Sequence, residues 1–400
     1  MRNKDQSVQT GTLKEIASNF LRIGALAYGG PAIMGIMQNE LQEKRQWVTK
    51  ERFMEGLSLV NILPGAGATQ LGIFLGYARG GWWGGLVAGL CFMLPAFFIM
   101  LTLALVYSVF GSTSFMRSAL YGLGPVVLGI YIVAVYRLGR NVIGSLAQIL
   151  IAIAAGTAVV MTPLGIAMAL LLAGSIGIII YHSKKVGFYV TAFIVSTFIL
   201  FHWTLMQQTG AEAIPSASSA ELSTLGVVFL KIGALTFGGG LTVIAFAQEQ
   251  VVNQYHWLTH QEFIDGLALG QFTPGPILMI AAYVGFKTTG LVGAIVCALA
   301  IFLPSFIFML SILPVFDRLR DFRWMKAAMK GVGPATIGVL FVSLSQLAPH
   351  AVPDYFAAII LLGTLFAMFI WRIGLVKLIL SGTFLGVLHD KVTLLAFGKA

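Results

Sequence analysis

About thirteen apolar segments, each close to the length that crosses a bilayer as a helix, cover nearly all of this 400-residue chain. They fall near 16–38, 53–78, 83–110, 118–136, 142–161, 164–182, 187–203, 223–248, 263–286, 289–314, 327–346, 355–371 and 375–390. Some 20 apolar residues in a helix span a hydrocarbon layer about 30 Å thick. The period-two alternation of lipid-facing barrel strands is missing, so the spans must satisfy their backbone hydrogen bonds internally, as helices. Charged residues make up 10% of the chain, against about 25% in soluble domains. That is too little polar surface to cover a water-soluble globule, so the chain reads as an all-α polytopic membrane protein. The net charge of +10 does not indicate a nucleic-acid partner, because the Lys and Arg residues sit in short loops and form no contiguous basic face. Residues Met1 to Leu13 lack the pattern of a cleavable leader and read as a short cytoplasmic lead-in. Cys91 and Cys297 lie in apolar runs and read as packing residues.

The chain is also an internal repeat. FLRIGALAYGGP from Phe20 returns as FLKIGALTFGGG from Phe229, 209 residues later. The same offset pairs Glu40 with Glu249, Pro95 with Pro304 and the GLGP at Gly122 with the GVGP at Gly331. An offset of 210 pairs Phe53 with Phe263, Asn61 with Gln271, and Pro64-Gly65 with Pro274-Gly275. A one-residue slip across a loop reconciles the two registers. The expected domains are residues 1–206, a polar linker at 207–222, and 223–400.

Loop charges argue that the halves are inverted. Lys44 to Arg52 holds four basic residues and its counterpart, Gln250 to Glu262, none. Gly111 to Arg117 holds one, whereas Asp317 to Lys330 holds five. Opposite bias in matching loops is what inverted-topology repeats produce. Thirteen crossings would put basic loops on both faces. The conflict disappears if 16–38, 53–78, 223–248 and 263–286 are broken, re-entrant hairpins and nine segments cross.

Those four segments carry the breaks. They are Tyr28-Gly29-Gly30-Pro31, Leu63-Pro64-Gly65-Ala66-Gly67, Phe237-Gly238-Gly239-Gly240 and Thr273-Pro274-Gly275-Pro276. Such clusters free backbone groups at membrane depth, where only protein or a water-filled cavity can satisfy them. A single Gly pair serves helix packing equally well. Four breaks in symmetric positions point to a transporter binding site, whose half-helix N-termini suit an anion. Asn61, Thr69, Thr236, Gln271 and Thr273 supply hydrogen-bonding side chains around the breaks. Arg22 and Lys231 are matched cations inside apolar sequence. They either give the site positive potential or snorkel to the interface.

Four carboxylates are proton-coupling candidates: Glu40, Glu55, Glu249 and Asp265. Basic neighbours favour a structural role for the first two, whereas Glu249 and Asp265 have none nearby in sequence. His256 and His260 are spaced i, i+4 without further ligands, so no metal site is expected. A phosphate loop, a nucleophile elbow and a zinc-protease motif are all missing. The expectation is a transporter without cofactor or catalytic residue.

The paired signature, FLRIGALAYGGP with Glu40, Trp47 and Phe53 and FLKIGALTFGGG with Glu249, Trp257, Phe263 and TPGP at Thr273, resembles the chromate ion transporter family in its long two-domain form. The resemblance implies an inner-membrane protein with two oppositely oriented domains that exports chromate, using the proton motive force. Chromate or a related tetrahedral oxyanion and membrane lipid are then the partners, and a homodimer is left open. Alternatives within transport are sulfate or another anion as substrate, and a passive anion channel. Two departures stand out: Ala66 where the second half has Pro276, and Gly240 where the first has Pro31.

Overall fold

A computed structural model describes residues 11–27, 30–162, 165–208, 221–237, 240–315 and 323–397. Among these residues every regular element is helical. The linker core, 209–220, lies outside them.

The chain opens with two hairpins. Helix α1 (Leu13–Leu26) stops at Ala27, and α2 (Gly30–Met37) comes back to the end where α1 began. The Trp47 indole, just past α2, fixes that return by donating to the Glu15 carboxylate at 3.2 Å. Between them α2 widens into a π-helical run, Gln38–Lys44, and Gln46 turns the chain at φ 51°. The second hairpin joins α3 (Lys50–Ile62) to residues 67–79, the first arm of α4 (Gly67–Phe110). Thr49 caps α3 by accepting from the Arg52 N–H at 3.2 Å. Gly56 on the way in faces the Phe74 ring on the way out. Helix α4 reverses once more at Gly80-Gly81, where Gly81 has φ 62°, and sends a long arm, 82–110, across the molecule. Helices α5 (Ser114–Val142), α6 (Leu146–Met161), α7 (Gly165–Tyr181) and α8 (Lys184–Gln208) follow.

The second half repeats this plan with α9 (Leu222–Ala234), α10 (Thr242–Ala247), a π-helical run at Gln248–Gln254 and α11 (His260–Gln271). Then come α12 (Ile280–Ile312), reversed at Thr289-Gly290, α13 (Arg323–Ala351), α14 (Tyr355–Phe369) and α15 (Leu375–Phe397). The π runs correct one pairing. Gln46 and His256 adopt the same positive φ, 51° and 50°, so this stretch runs in the 210 register. The Lys44–Glu40 contact is accordingly mirrored by Gln254–Gln250, and Glu249 is the counterpart of Asn39. Glu40 and Glu249 are therefore not mates. The extra residue falls ahead of the π runs, at the tip of the third hairpin, because Gly24 and Gly233 still share the 209 register against Phe92 and Ile301.

Matching helices pack antiparallel. Gly85 lies against Leu310 and Gly89 against Phe306, so as α4 advances four residues α12 retreats four. Gly124 against Ala351 and Gly139 against Ile337 show the same for α5 and α13. The halves also exchange helices. Gly122 of α5 closes on Gly382 and Gly386 of α15, while its mate Gly331 of α13 closes on Ala173 and Gly177 of α7. Small residues at these crossings let backbones meet. Outward faces stay apolar: Ile153, Val160, Phe188, Phe193, Leu362 and Phe384 are all exposed, as a lipid solvent requires. With four hairpins folded back, nine helices run end to end among the described residues, and α4, α5, residues 277–312 and α13 are each long and apolar enough to cross.

The four tips meet at the centre in a reciprocal pair of backbone bonds. Gly65 N–H donates to the Thr236 carbonyl at 2.7 Å, and Gly275 N–H donates to the Ala27 carbonyl at 2.8 Å. Each half thus supplies one donor and one acceptor to the other. Gly65 and Gly275 have φ of 128° and 94°, where an L side chain is strained. A Cβ on Gly65 would fall 2.5 Å from Ser305 Oγ and 2.6 Å from Gln70 Nε2. Gly65→Ala should destabilise the protein by about 1–3 kcal/mol, read as thermal unfolding in detergent. Gly270→Ala, at a helical position with open space around it, should leave the midpoint unchanged.

Candidate functional site

The first arm of α4 begins at the tip of the second hairpin without a capping side chain: its N-cap, Ala66, offers none. The Gly65 N–H is spent on Thr236, and the Ala66 N–H donates to Ser305 Oγ at 2.8 Å. The first N–H groups of the helix, those of Gly67, Ala68 and Thr69, point toward the tip with the positive end of the helix dipole behind them. Gly67 and Thr69 are buried. Thr69 Oγ1 and Gln70 Oε1 are buried and without a hydrogen-bond partner, while Gln70 Nε2 donates to the Pro64 carbonyl at 2.6 Å. A fully buried polar atom left unpaired carries a desolvation cost of about 1–3 kcal/mol, which a ligand at this spot relieves.

The remaining sequence candidates separate. Thr236 Oγ1 donates to the Ile232 carbonyl at 2.7 Å, and Thr273 Oγ1 turns back to the Leu269 carbonyl at 3.3 Å, so neither hydroxyl is open. Pro274 is buried, Asn61 is exposed beside the first-half tip, and Gln271 is half-buried. Gly30 starts α2; Tyr28, Gly29, Gly238 and Gly239 lie outside the described residues. Arg22 and Lys231 are exposed about one and a half turns before their tips, on stripes shared with exposed Leu21, Leu26, Val227 and Leu230. An apolar cavity of about 170 Å³ between the long arms of α4 and α12, lined by Leu94, Phe97, Ile295 and Leu299, offers an anion nothing. Two residues of the tip escaped sequence reasoning. Gln70 has Met279 as its counterpart and Ser305 has Ala96, so the repeat comparison gave neither a signal.

The carboxylates divide as their neighbours dictate. Glu40 binds Lys44 at 3.1 Å and Arg45 at 3.4 Å, and the Lys44 hydrogen bond leads in holding its carboxyl below the usual range. Glu55 pairs with Arg52 at 2.9 Å. Glu249 accepts from the amides of Asn253 and Gln254. Asp265 is buried, accepting from the Tyr107 hydroxyl at 2.8 Å and the Gln261 amide at 3.0 Å, and it forms no ion pair among the described residues. His260 stacks on His350 with centroids 4.3 Å apart, and burial, followed by that neighbour, holds it below the usual histidine range. No metal-binding cluster occurs among the described residues.

The two ends of the molecule are not equivalent. Met54 is 49% exposed and its mate Ile264 2%. Ser58 and Asn61 are exposed where Ala268 is buried and Gln271 half-buried, and Ile36 is exposed where Phe246 is buried. Contacts explain the contrast. At the far end Ile264 reaches Gly124 of α5, and Ser343 donates to Gln248, whose amide donates to Gln346 at 3.0 Å. At the near end the three atoms nearest Gly333, the mate of Gly124, all belong to Val142. Met54, Ser58 and Asn61 form an exposed stripe on α3 that runs from the near end toward the Gly65 tip. The same end carries Lys44, Arg45, Lys50, Arg52 and Arg79, the last bonded to Glu15 at 3.4 Å.

A family model described as chromate transporter matches residues 14–178 and again 223–387. A probable chromate transport protein of Synechococcus elongatus is 29% identical over 379 residues, 91% of each chain. A chromate transport protein of Cupriavidus metallidurans is 33% identical over 366 residues, 89% of this chain and 87% of that one. One of Pseudomonas aeruginosa is 28% identical over 357 residues, 85% and 83% of the two chains. No solved structure matches.

The contrast between the ends can be measured in membranes. With Cys91 and Cys297 replaced, cysteines at 58 and 61 should react quickly with a membrane-impermeant thiol reagent added from the near face. Cysteines at 268 and 271 should react at least tenfold more slowly from either face. Equal rates at matched positions would show the two ends to be equally accessible in the membrane.

Proposed function

The chain belongs to the chromate transporter family, and from that membership we propose that it exports chromate or a related tetrahedral oxyanion by alternating access. The observation that carries this reading is the tip of the second hairpin, where helix donors and the Thr69 hydroxyl are buried without acceptors. Such a group of donors suits oxyanion oxygens, and it sits where corresponding breaks of inverted repeats place transporter sites. The chain is a multi-pass integral membrane protein, and family and fold alike speak for transport rather than catalysis.

Direction follows from charge. Basic residues gather at the near end, which the positive-inside rule assigns to the cytoplasm of the cell's inner or plasma membrane. The stripe of Met54, Ser58 and Asn61 is exposed there while their mates at the far end are buried or half-buried, so in this reading the oxyanion loads from inside. Exchanging the packing of the far end for the same packing at the near end, by the relation between mates, delivers it outside. One end sealed while the other is open supports a carrier over a passive channel. Residues 1–206 and 223–400 act as the two repeats in this scheme, joined outside by the linker.

For coupling to the proton motive force, Asp265 has the most suitable surroundings of the four carboxylates. It is buried with neutral donors, whereas Glu40 and Glu55 are ion-paired with Lys44, Arg45 and Arg52. Everted membrane vesicles test the whole reading. They should accumulate chromate when a proton gradient is imposed, and an uncoupler should abolish the accumulation. Asp265→Asn should leave chromate exchange intact and lower gradient-driven uptake at least tenfold. Uptake no greater than in vesicles lacking the protein would remove chromate as substrate. Uptake indifferent to the uncoupler would make the protein a channel. Sulfate added as competitor then ranks the two anions.

A further inference from the structure

We propose that the Gly65 tip takes its oxyanion in the protonated, monoanionic form, with Gln70 Oε1 accepting the hydrogen bond of the ligand's own hydroxyl. The inference rests on the oxyanion reading above and refines which ionic species the site recognises.

A full dianion is held best where every oxygen faces a donor and none faces an acceptor. This tip has donors on one side only. The N–H groups of Gly67, Ala68 and Thr69 and the Thr69 hydroxyl can serve the oxygens of a tetrahedral anion. Opposite in character stands Gln70 Oε1, a buried acceptor with no donor. Its orientation is not arbitrary. The other amide atom lies 2.6 Å from the Pro64 carbonyl, which can only accept, so that atom must be the nitrogen and the oxygen must be the unpaired one. The amide lies beside Gly65, whose Cβ would meet it at 2.6 Å, so the lone acceptor belongs to the tip itself.

A dianion placed here would set an unprotonated oxygen against the Gln70 carbonyl and pay repulsion on top of desolvation. An anion bearing one O–H offers that carbonyl a donor and still presents three oxygens to the helix terminus. Formal charge agrees. The nearest sequence cations, Arg22 and Lys231, are exposed on apolar outer stripes, and Lys44, Arg45 and Arg52 are engaged with Glu40 and Glu55 at the near end. What remains at the tip is a helix terminus worth about half a positive charge, which balances a monoanion better than a dianion. The fourth hairpin has no such arrangement, since Leu278 and Met279 replace Thr69 and Gln70.

Chromate and sulfate separate the species. Chromate passes between monoanion and dianion near neutral pH, whereas sulfate is a dianion throughout. Binding is measured on the purified full-length protein by ligand-induced thermal stabilisation between pH 5.5 and 8.5. Above the second dissociation of chromate its apparent affinity should fall about tenfold per pH unit, the signature of one bound proton, and sulfate should bind weakly at every pH. Asp265→Asn should leave that slope in place, since the proton sits on the ligand. Gln70→Met should flatten the slope and narrow the preference for chromate over sulfate, with the helix donors still binding. A chromate affinity independent of pH, or a slope lost in Asp265→Asn, overturns the inference while leaving an oxyanion site. Stabilisation by neither anion at any pH, with Thr69→Val indistinguishable from the unmodified protein, removes the site and the oxyanion reading together.

Discussion

Everything in this architecture hangs on two backbone hydrogen bonds at the centre of the molecule, Gly65 N–H to Thr236 and Gly275 N–H to Ala27. Four half-length helical hairpins bring unwound backbone to the middle of a membrane, where an unpaired amide costs several kcal/mol. The Gly65 and Gly275 amides each find their acceptor in the opposite half. Each half solves the problem of the other, and the exchange works only if the halves are inverted and in register. The antiparallel packing of α4 on α12 and of α5 on α13 provides that register, and the traded helices α14–α15 and α6–α7 hold it. The glycines at the tips follow from the same constraint, since the bonds require φ values that strain other residues.

Symmetry in the backbone coexists with asymmetry in the side chains, and function arises from the difference. Both halves turn at the same places, yet among the described residues only the tip of the second hairpin keeps buried side-chain polar atoms unpaired. In the fourth, the Thr273 hydroxyl is folded back onto its own helix. The ends differ as well. The far end packs Ile264 on Gly124 beside the Ser343–Gln248–Gln346 chain, whereas at the near end Met54, the mate of Ile264, is exposed. A pseudo-symmetric frame with two unequal ends is what the proposed alternating access draws on, each end supplying a packing pattern for the other.

Several features were readable from residues alone. The Gly/Pro breaks located all four tips, and the opposed loop charges of Lys44–Arg52 and Asp317–Lys330 anticipated inversion. The basic neighbours of Glu40 and Glu55 anticipated their ion pairs. Other features were hidden for definite reasons. Gln70 and Ser305 have apolar counterparts, so comparing the halves passes over them. The pairing of Glu40 with Glu249 looked natural in the 209 register and failed because the π-helical runs follow 210, with the additional residue absorbed at a hairpin tip. Arg22 and Lys231 match perfectly as a repeat pair, yet periodicity within a short helix did not reveal that both face the exposed stripe.

By itself, then, the sequence determined the class of solvent, the helical content, the repeat, the sites of interruption and the face each loop prefers. These depend on hydrophobicity, chain stiffness and charge, which act locally and add along the chain. Tertiary structure alone decided which tips bond to each other, which half keeps an open site and which end is sealed. Those outcomes depend on contacts between residues far apart in the chain, such as Gly65 with Thr236 and Ala66 with Ser305. Two nearly identical segments cannot announce, from their composition, which of them will find its polar atoms satisfied. Only the packing of one half against the other breaks that tie.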